Sequence, residues 1–239
     1  MSSIIIEIRA GAGGEEAALF AQDLFKMYSK YAETQDWQTR VLDSNQSEIG
    51  GIKQITFEIK GNNAFSEMKY EGGVHRVQRI PKTEKADRIH TSTVSVAVLE
   101  KPETTAIKIN QSDLKMDFFK SSGPGGQNVN KRQTAIRLTH KPSGIVVTSQ
   151  TTRNLEENKK AAMEILKARL FERERKEIEN KISGERREQI GNADRSEKIR
   201  TYNFPQDRIT DHRINKKFHN IEKIMSGNLK PIIKALTSN

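Results

Sequence analysis

The hydrophobic positions near the start of the chain follow two different periods. Residues 4–9 (IIIEIR) form a short apolar run that predicts a β-strand. After a glycine-rich stretch at 11–14, apolar residues recur every three or four positions, and this spacing predicts an amphipathic helix with Glu15 and Glu16 in its first turn. The apolar positions of this helix are Leu19, Phe20, Leu24, Met27, Tyr28 and Tyr31.

The pattern then changes to short alternating runs separated by turn residues, from about residue 38 to residue 109, and it predicts an antiparallel sheet. Another alternating run, 113–120, precedes a second glycine-rich stretch, after which a hairpin is predicted through Pro142, Ser143 and Gly144. Residues 155–190 predict one long charged helix, 190–210 a loop and 211–225 a last helix. The order of elements predicts an α+β fold of two units.

Composition narrows the class of protein. Hydrophobic residues make up 34% of the chain and charged residues 30%, and the mean hydropathy is −0.75, which predicts thin cores and much solvated surface. No apolar run is long enough for a membrane span or a signal segment, so we expect a cytoplasmic protein. The chain has no cysteine, and its five histidines lack metal-ligand spacing. We therefore expect no metal site and no cofactor.

The net charge of +10 is unevenly distributed along the chain. Residues 1–50 carry 4 basic and 8 acidic groups, whereas 51–150 carry 16 and 9, and 201–239 carry 7 and 3. A basic field of this kind attracts polyphosphates, chiefly nucleic acids. The alternative is a role in solubility, but the position of the field beside a glycine-rich stretch favours nucleic acid.

The second glycine-rich stretch, SSGPGGQNVNK at 121–131, contains no acid and no thiol. Neither it nor the other glycine pairs fit a phosphate-binding P-loop or a dinucleotide fingerprint. Gly125 and Gly126 can enter dihedral regions closed to other residues, which frees the backbone N–H of Gln127 to point outward. The Gln127 amide cannot titrate as a general base, so any chemistry here depends on placement and electrostatics, with water as the nucleophile.

Five blocks carry a family resemblance in family order: GAGGEEAALFA, EGGVHRVQRIPKTE, RIHTS, SSGPGGQNVNK and RTYNFPQDRITDHRI. Together they cover nearly the whole chain, and they resemble bacterial-type class I peptide chain release factors. The family signature, GGQ, corresponds to Gly125, Gly126 and Gln127. The resemblance implies a codon-recognition superdomain of residues 1–110 with 197–239, containing an antiparallel sheet and helices. It also implies an inserted α/β GGQ domain, 111–196, that ends in the long helix and a switch loop.

The resemblance also implies how a stop codon is read. Pro81, Lys82 and Thr83 match the Pro-x-Thr pattern of release factor 1 rather than the Ser-Pro-Phe pattern of release factor 2, which implies reading of UAA and UAG. Gly13, Glu16 and Thr83 are implied to contact the first two bases. His90 is implied to stack between the second and third bases, and Gln78 and Thr91 to read the third. Stacking and edge contacts are the usual means of reading single-stranded bases.

The implied reaction is hydrolysis of the ester that joins a nascent peptide to transfer RNA. The Gln127 N–H would stabilise developing charge, and Gln127 is also implied to be N5-methylated by a glutamine methyltransferase. The implied partners are both ribosomal subunits, the stop codon of the messenger RNA and the P-site peptidyl-tRNA. The chain would act as a monomer that promotes a ribosome-dependent reaction rather than as a free-standing enzyme.

The chain departs from the family pattern at its start, where relatives carry a helical domain before IIIEIRA. This departure weakens the expectation of contact with the recycling GTPase, and it keeps an alternative open, codon-independent rescue of stalled ribosomes. Rescue factors share the GGQ domain but usually lack the decoding block, which this chain retains at 81–83 and 88–92. The intact GGQ argues against a non-catalytic RNA-binding decoy. We therefore expect codon-dependent termination.

Overall fold

The computed structural model describes residues 2–48, 50–81, 84, 87–101, 109–121, 132–191 and 195–238. The chain forms two compact units, residues 1–102 with 182–239 (unit 1) and residues 103–181 (unit 2). Both units combine strands with helical segments, so the predicted α+β class is confirmed. Each unit is described by itself below.

Eleven strands and five helices are present in the described residues. The strands are β1 (Ser2–Ala10), β2 (Gln38–Gln46), β3 (Ile52–Gly61), β4 (Gly73–Arg79), β5 (His90–Glu100), β6 (Leu114–Phe119), β7 (Ala135–His140), β8 (Val146–Ser149), β9 (Lys198–Asn203), β10 (Arg208–Asp211) and β11 (Lys216–His219). The helices are α1 (Glu15–Thr34), α2 (Ala64–Met68), α3 (Leu155–Ile190), α4 (Ile221–Met225) and α5 (Lys230–Thr237). None of these helices has the length and apolar character needed to cross a bilayer.

Unit 1 contains an eight-stranded sheet with the order β11-β10-β9-β4-β5-β1-β3-β2. Every neighbouring pair is antiparallel except β4 and β9, which run parallel. The prediction of an antiparallel sheet is therefore confirmed, with one parallel exception. That exception joins the first part of unit 1 to the part that follows unit 2 in sequence.

The core of unit 1 lies between the sheet and its helices. Alternate residues of β1, namely Ile4, Ile6 and Ile8, are fully buried, as the two-residue period of a strand requires. Helix α1 buries the predicted positions Phe20, Leu24, Met27, Tyr28 and Tyr31 in the same cluster. Each large apolar side chain removed from water contributes roughly 1.5–3 kcal/mol. The predicted strand and helix are therefore confirmed, and five of the six predicted apolar positions of the helix are buried, whereas Leu19 is only partly buried.

The sequence prediction was wrong between residues 190 and 225. The predicted loop at 190–210 contains β9 and most of β10, and the predicted helix at 211–225 contains β11 before the short helix α4. These strands have only four to six residues and are mostly polar, so they show no clear two-residue period. Their pairing partners, β4 above all, supply the stability that local sequence does not.

A buried ionic cluster joins β9 to residues near the start of β4. The Arg200 guanidinium donates to both carboxylate oxygens of Glu71 at 2.6 and 2.9 Å, and to Asp211 at 3.2 Å. All three side chains are fully buried. Burial by itself raises the pKa of the Glu71 carboxyl, but the Arg200 charge outweighs it and holds that pKa below its usual value.

His75 belongs to the same cluster and is neutral. Its Nε2 lies 2.9 Å from the Glu71 carbonyl oxygen, which can only accept, so Nε2 carries the proton. Its Nδ1 lies 3.3 Å from the Tyr202 hydroxyl and accepts from it. Burial, reinforced by the Arg200 charge, lowers the pKa of His75 to about 4.

The last turns of α3 belong to unit 1 and contact its sheet through polar side chains. The Gln189 side-chain amide accepts from the Val98 N–H at 2.8 Å and donates to the Val98 carbonyl oxygen at 2.9 Å. Strand β4 pairs with β5 only as far as Gly73, opposite Val96. Gln189 thus occupies the bonding position that an extension of β4 would take. Nearby, Arg186 pairs with the buried carboxylate of Glu7.

Unit 2 is a three-stranded antiparallel sheet, β6-β7-β8, packed against the first half of α3. The predicted hairpin is confirmed, because β7 and β8 are joined through residues 141–145. The small core consists of Leu114, Ile136, Leu138, Val147, Ala162 and Leu166. Only part of one face of α3 is buried, as its balanced charge predicted, and its exposed face carries ion pairs such as Lys176–Glu172 at 3.0 Å.

Replacing the central arginine of the buried cluster tests how much it stabilises unit 1. We expect Arg200→Met to lower the free energy of unfolding by roughly 3–5 kcal/mol, because the buried Glu71 carboxylate loses its charged partner, whereas Asp211 keeps its ion pair with Arg213. Urea unfolding followed by the fluorescence of Trp37, the single tryptophan, reports on unit 1. The control Lys101→Met breaks an exposed pair with Glu58 and is expected to cost at most about 1 kcal/mol. Equal losses in the two variants would contradict this account of Arg200.

His75 predicts a pH dependence of stability. Its pKa is about 4 when folded and 6.5 in the unfolded chain, so between these values only the unfolded state binds the proton. Stability is therefore complete above pH 6.5 and declines by about 3 kcal/mol as the pH falls to 4. We expect His75→Gln, which keeps a donor and an acceptor but cannot titrate, to flatten this decline.

The control for this measurement is His212→Gln. Burial also lowers the pKa of His212, so this residue contributes in the same direction, but it is only partly buried. Urea unfolding at a series of pH values separates the two contributions. A decline that persists unchanged in His75→Gln would contradict the assignment to His75.

Candidate functional site

The glycine-rich loop before α1 is fixed to strand β5. The Gly11 N–H donates to the Thr93 carbonyl oxygen, the Thr93 N–H donates to that of Ala12, and the Ala12 N–H donates to the Thr93 hydroxyl, at 2.8–3.0 Å. Gly14, at the N-cap of α1, supplies no side-chain cap. The first-turn N–H groups of this helix therefore remain available at an exposed tip.

Gly13 is required at its position on two counts. Its φ of +127° lies in the region that favours glycine, and an added Cβ would come within 2.1 Å of the Ser92 Oγ. At Gly14, with φ of +59°, a Cβ would meet no other atom within 4 Å. The close approach of Gly13 to Ser92 thus sets how near the helix tip lies to β5.

Glu16 lies below this tip, and its carboxylate is buried. The side chain is 3% exposed, and Oε1 accepts from the Arg79 Nε at 2.5 Å. Arg79 also donates to Asp23 at 2.7 Å, and its guanidinium lies 5.3 Å from the ring centre of Phe204. Burial lowers the pKa of Arg79, but Asp23 and Glu16 outweigh burial and raise it. The Glu16 side chain therefore anchors the end of β4 to α1.

The ends of β4 and β5 bring the other predicted residues together. Gln78 pairs directly with Thr91, and the adjacent pair is Arg79 with His90. The Gln78 carbonyl oxygen accepts from the Phe204 N–H at 3.0 Å, and its side-chain oxygen accepts weakly from Asn203 at 3.4 Å. Successive pairs project to opposite faces of a sheet, so the end of the strand pair, rather than one face, presents these groups.

His90 is held by a carboxylate from the loop that joins β4 to β5. Its Nε2 lies 2.5 Å from Glu84, whose carboxylate is only 6% exposed, and Arg88 approaches the same carboxylate at 3.5 Å. The His90 side chain remains 44% exposed, so part of its ring is open to solvent. Pro81 is buried and its carbonyl oxygen accepts from the Glu84 N–H at 3.0 Å. Lys82 and Thr83 lie outside the described residues.

Gly125, Gly126 and Gln127 also lie outside the described residues, but the residues that flank their loop are described. Phe119 and Ala135 are cross-strand partners, so the loop leaves and rejoins unit 2 at the same end of one strand pair. The buried Asn158 side chain donates to the carbonyl oxygens of Thr134 and Thr152 at 2.8 Å each. This fully buried amide therefore links Thr134, the residue before β7, to α3.

The part of the chain that the structure describes contains no group of three or more His, Asp or Glu side chains that could hold a metal ion. One surface is formed by the α1 tip, the ends of β4 and β5 and the Glu84–His90 pair. Its backbone N–H groups and polar side chains can form hydrogen bonds, and its His90 ring can stack on another ring. We call this surface the reading surface.

Comparison with known proteins identifies the family of the chain. Residues 1–96 match the PCRF domain family, and residues 102–213 match the RF-1 domain family. Peptide chain release factor 1 of Dehalococcoides mccartyi is 54% identical over 237 residues, covering 99% of this chain and 67% of that protein. The chain belongs to the peptide chain release factor 1 family.

A second release factor 1 relative and one solved release factor structure are also similar to the chain. Peptide chain release factor 1 of Acetivibrio thermocellus is 53% identical over 234 residues, which are 98% of this chain and 65% of that protein. The chain thus spans about two thirds of the length of the curated relatives it matches. The structure of RF2 of Thermus thermophilus is similar with a TM-score of 0.59 and 36% identity, covering 98% of this chain and 67% of that one. The family resemblance noted in the sequence is confirmed.

Within this release factor 1 family chain, sequence reasoning found some residues of the reading surface and missed others. Gly13, Gln78, His90 and Thr91 belong to the elements that form the reading surface. Arg79, Glu84 and Phe204 were missed, because their importance lies in contacts between elements that no sequence spacing reveals. The roles assigned to single bases remain predictions.

Substitution of Gly13 tests whether its approach to Ser92 shapes the reading surface. We expect Gly13→Ala to lower the free energy of unfolding by roughly 1–3 kcal/mol more than Gly14→Ala, because only the former adds a clash to an unfavourable φ. Gly14→Ala keeps the left-handed strain alone, which costs roughly 1–2 kcal/mol. Urea unfolding monitored by Trp37 measures both variants. Equal losses of unfolding free energy in the two variants would show that the contact between Gly13 and Ser92 does not affect stability.

Proposed function

We propose that this protein is a translation termination factor that recognises UAA and UAG in the ribosomal A site and triggers hydrolysis of the peptidyl-tRNA ester in the peptidyl transferase centre. Membership of the release factor 1 family supports the class of activity. The observation that carries the proposal is the reading surface, which gathers Gly13, Gln78, His90 and Thr91 from separate elements of unit 1.

The reading surface suits a single-stranded codon. The exposed tip of α1 offers backbone N–H groups, which can donate to a base carbonyl. The Gln78–Thr91 pair presents an amide and a hydroxyl, which can both donate and accept at a base edge. The partly exposed His90 ring, oriented by Glu84, can stack on a base. Because Glu16 is buried against Arg79, any contact of this residue with a base comes through its backbone.

The Pro81-Lys82-Thr83 segment supports the choice of codons. The Thr83 hydroxyl can both donate and accept a hydrogen bond, which suits contact with a base edge. We propose that Thr83 acts with the α1 tip on the first two bases. Among the described residues, Pro81 is buried and its carbonyl oxygen accepts from the N–H of Glu84, the residue that pairs with His90.

Hydrolysis is assigned to the loop carried by unit 2. We propose that the Gln127 backbone N–H stabilises the charge that develops on the ester oxygens, and that its side chain helps to admit water and to exclude larger nucleophiles. Gly125 and Gly126 permit the backbone conformations that this requires. N5-methylation of Gln127 by a methyltransferase would add a methyl group to the amide while leaving the backbone N–H unchanged.

In this proposal residues 1–110 with 197–239 decode, and residues 111–196 hydrolyse. The partners are both ribosomal subunits, the stop codon and the P-site peptidyl-tRNA, and the chain acts as a monomer in the cytoplasm without a cofactor. Separation of the two tasks makes hydrolysis conditional on decoding, because binding of the codon can bias a change in the other part of the chain.

The test is release of labelled formyl-methionine from ribosomes programmed with UAA, UAG, UGA, a sense codon or a truncated message. We expect release at UAA and UAG only. Gln127→Pro removes the N–H and is expected to slow release roughly 10²–10³-fold, whereas Gln127→Ala keeps the N–H and is expected to retain most of the rate with water.

The codon assignment is tested in the same assay with Thr83→Ala. Loss of one hydrogen bond of about 1–1.5 kcal/mol is expected to raise the concentration for half-maximal release at UAA roughly tenfold. The maximal rate is expected to change little, since Thr83 does not touch the ester. Release from truncated messages that is independent of Thr83 would instead identify a rescue factor.

A further inference from the structure

A second polar site lies at the β11 edge of the unit 1 sheet. It is a cavity of about 490 Å³ between the turn before β11 and helix α5, and we call it the lysine pocket. Its lining residues are Ile214, Asn215, Lys216, Pro231, Lys234, Ala235 and Ser238. None of the residues of the reading surface lines it, so decoding does not account for it.

The charge of the lysine pocket is entirely positive. Lys216 and Lys234 converge on it from different elements, and no acidic side chain lines it. Around it, the segment 212–238 carries 6 lysine and arginine residues against one acid, Glu222. Within this described segment, no ion pair involves a lysine, whereas Lys101 and Lys176 elsewhere pair with carboxylates at 2.8 and 3.0 Å.

A protective role for an edge strand does not explain this charge. Strand β11 is at one edge of the sheet, and lysines at an edge discourage pairing with another chain. The opposite edge, β2, is exposed at all nine residues and carries only Arg40 and Asp43, with no net charge. Moreover, Lys234 lies on α5 and not on the edge. The convergence of two cations on one cavity therefore indicates an anionic ligand.

We propose that the lysine pocket binds phosphate groups of an RNA backbone. Lysine ammonium groups act as point charges suited to phosphate, whereas paired carboxylates are better matched by arginine, which the pocket lacks. The Asn215 side-chain amide adds a neutral donor of a kind that commonly contacts phosphate and sugar, whereas the Ser238 hydroxyl already donates to the Lys234 carbonyl oxygen at 2.8 Å. Such contacts position a protein on RNA without reading its sequence, so the pocket contributes to affinity and not to codon choice.

This proposal rests on the proposed function insofar as ribosomal RNA is the expected source of the phosphates. The test compares the double variant Lys216→Gln/Lys234→Gln with a matched control, Lys53→Gln/Lys60→Gln, which removes the same charge from exposed positions on β3. The affinity of each variant and of the unmodified chain for UAA-programmed ribosomes and for an oligouridylate is measured between about 0.05 and 0.2 M salt. Urea unfolding followed by Trp37 fluorescence verifies that both variants fold.

We expect the double variant to bind more weakly and to show a plot of log affinity against log salt that is shallower by about 1.4–1.8, since each lost phosphate contact contributes roughly 0.7–0.9. The control is expected to retain the original slope. The maximal release rate and the ratio of UAA to UGA release are expected to stay unchanged, because the pocket lies outside the reading surface.

Two results would overturn the proposal. An unchanged slope, or an equal change in the control, would mean that the lysines make no specific phosphate contact. A change on ribosomes without one on oligouridylate would assign the pocket to an acidic protein surface. Failure of termination itself is distinguishable, because the unmodified chain would then bind ribosomes in a salt-dependent manner without releasing peptide.

Discussion

The bidentate pair between Arg200 and Glu71 holds unit 1 together. The two residues are 129 positions apart in sequence, and unit 2 lies between them along the chain. Loop-closure entropy opposes this contact, so the parallel pairing of β4 with β9 needs a strong interaction at its start. The pair supplies it in a fully buried setting, where a charge without a partner is costly. The reading surface depends on this pairing of β4 with β9. Phe204, which follows β9, donates its N–H to the Gln78 carbonyl oxygen at the end of β4.

The extent to which sequence predicted the fold follows from where each element finds its stability. Strand β1 and helix α1 bury most of one face locally, so their periods are visible in Ile4, Ile6 and Ile8 and in the tyrosines of the helix. Strands β9, β10 and β11 are short, and β9 buries Arg200 where a hydrophobic pattern would place an apolar residue. A buried arginine looks like a surface residue in sequence, because its partners come from distant parts of the chain. This is why the region was predicted as a loop and a helix.

In the candidate site, too, some residues were found from the sequence, whereas residues that act through contacts with distant parts of the chain were not. The family resemblance of the motif blocks pointed to Gly13, His90 and Thr91, because a single glycine or polar residue of this kind is more often structural. The groups that hold them in place were hidden. Glu84 orients His90 across the loop, and Arg79 links β4 to Glu16 and Asp23 on α1. The buried role of the Glu16 side chain became visible only when that arginine was placed beside it.

The bond between Gln189 and Val98 has a consequence for how motion in this protein can be observed. Most backbone amides in β5 exchange their hydrogens only when the sheet opens, because their partners are other strands. The Val98 amide instead bonds to a side chain of α3, so detachment of the last turn of that helix exposes it while the sheet stays intact. The hydrogen-exchange rate of the Val98 amide therefore reports how often the last turn of α3, which leads into β9, detaches from the sheet. A single amide resonance can follow that event in the intact chain.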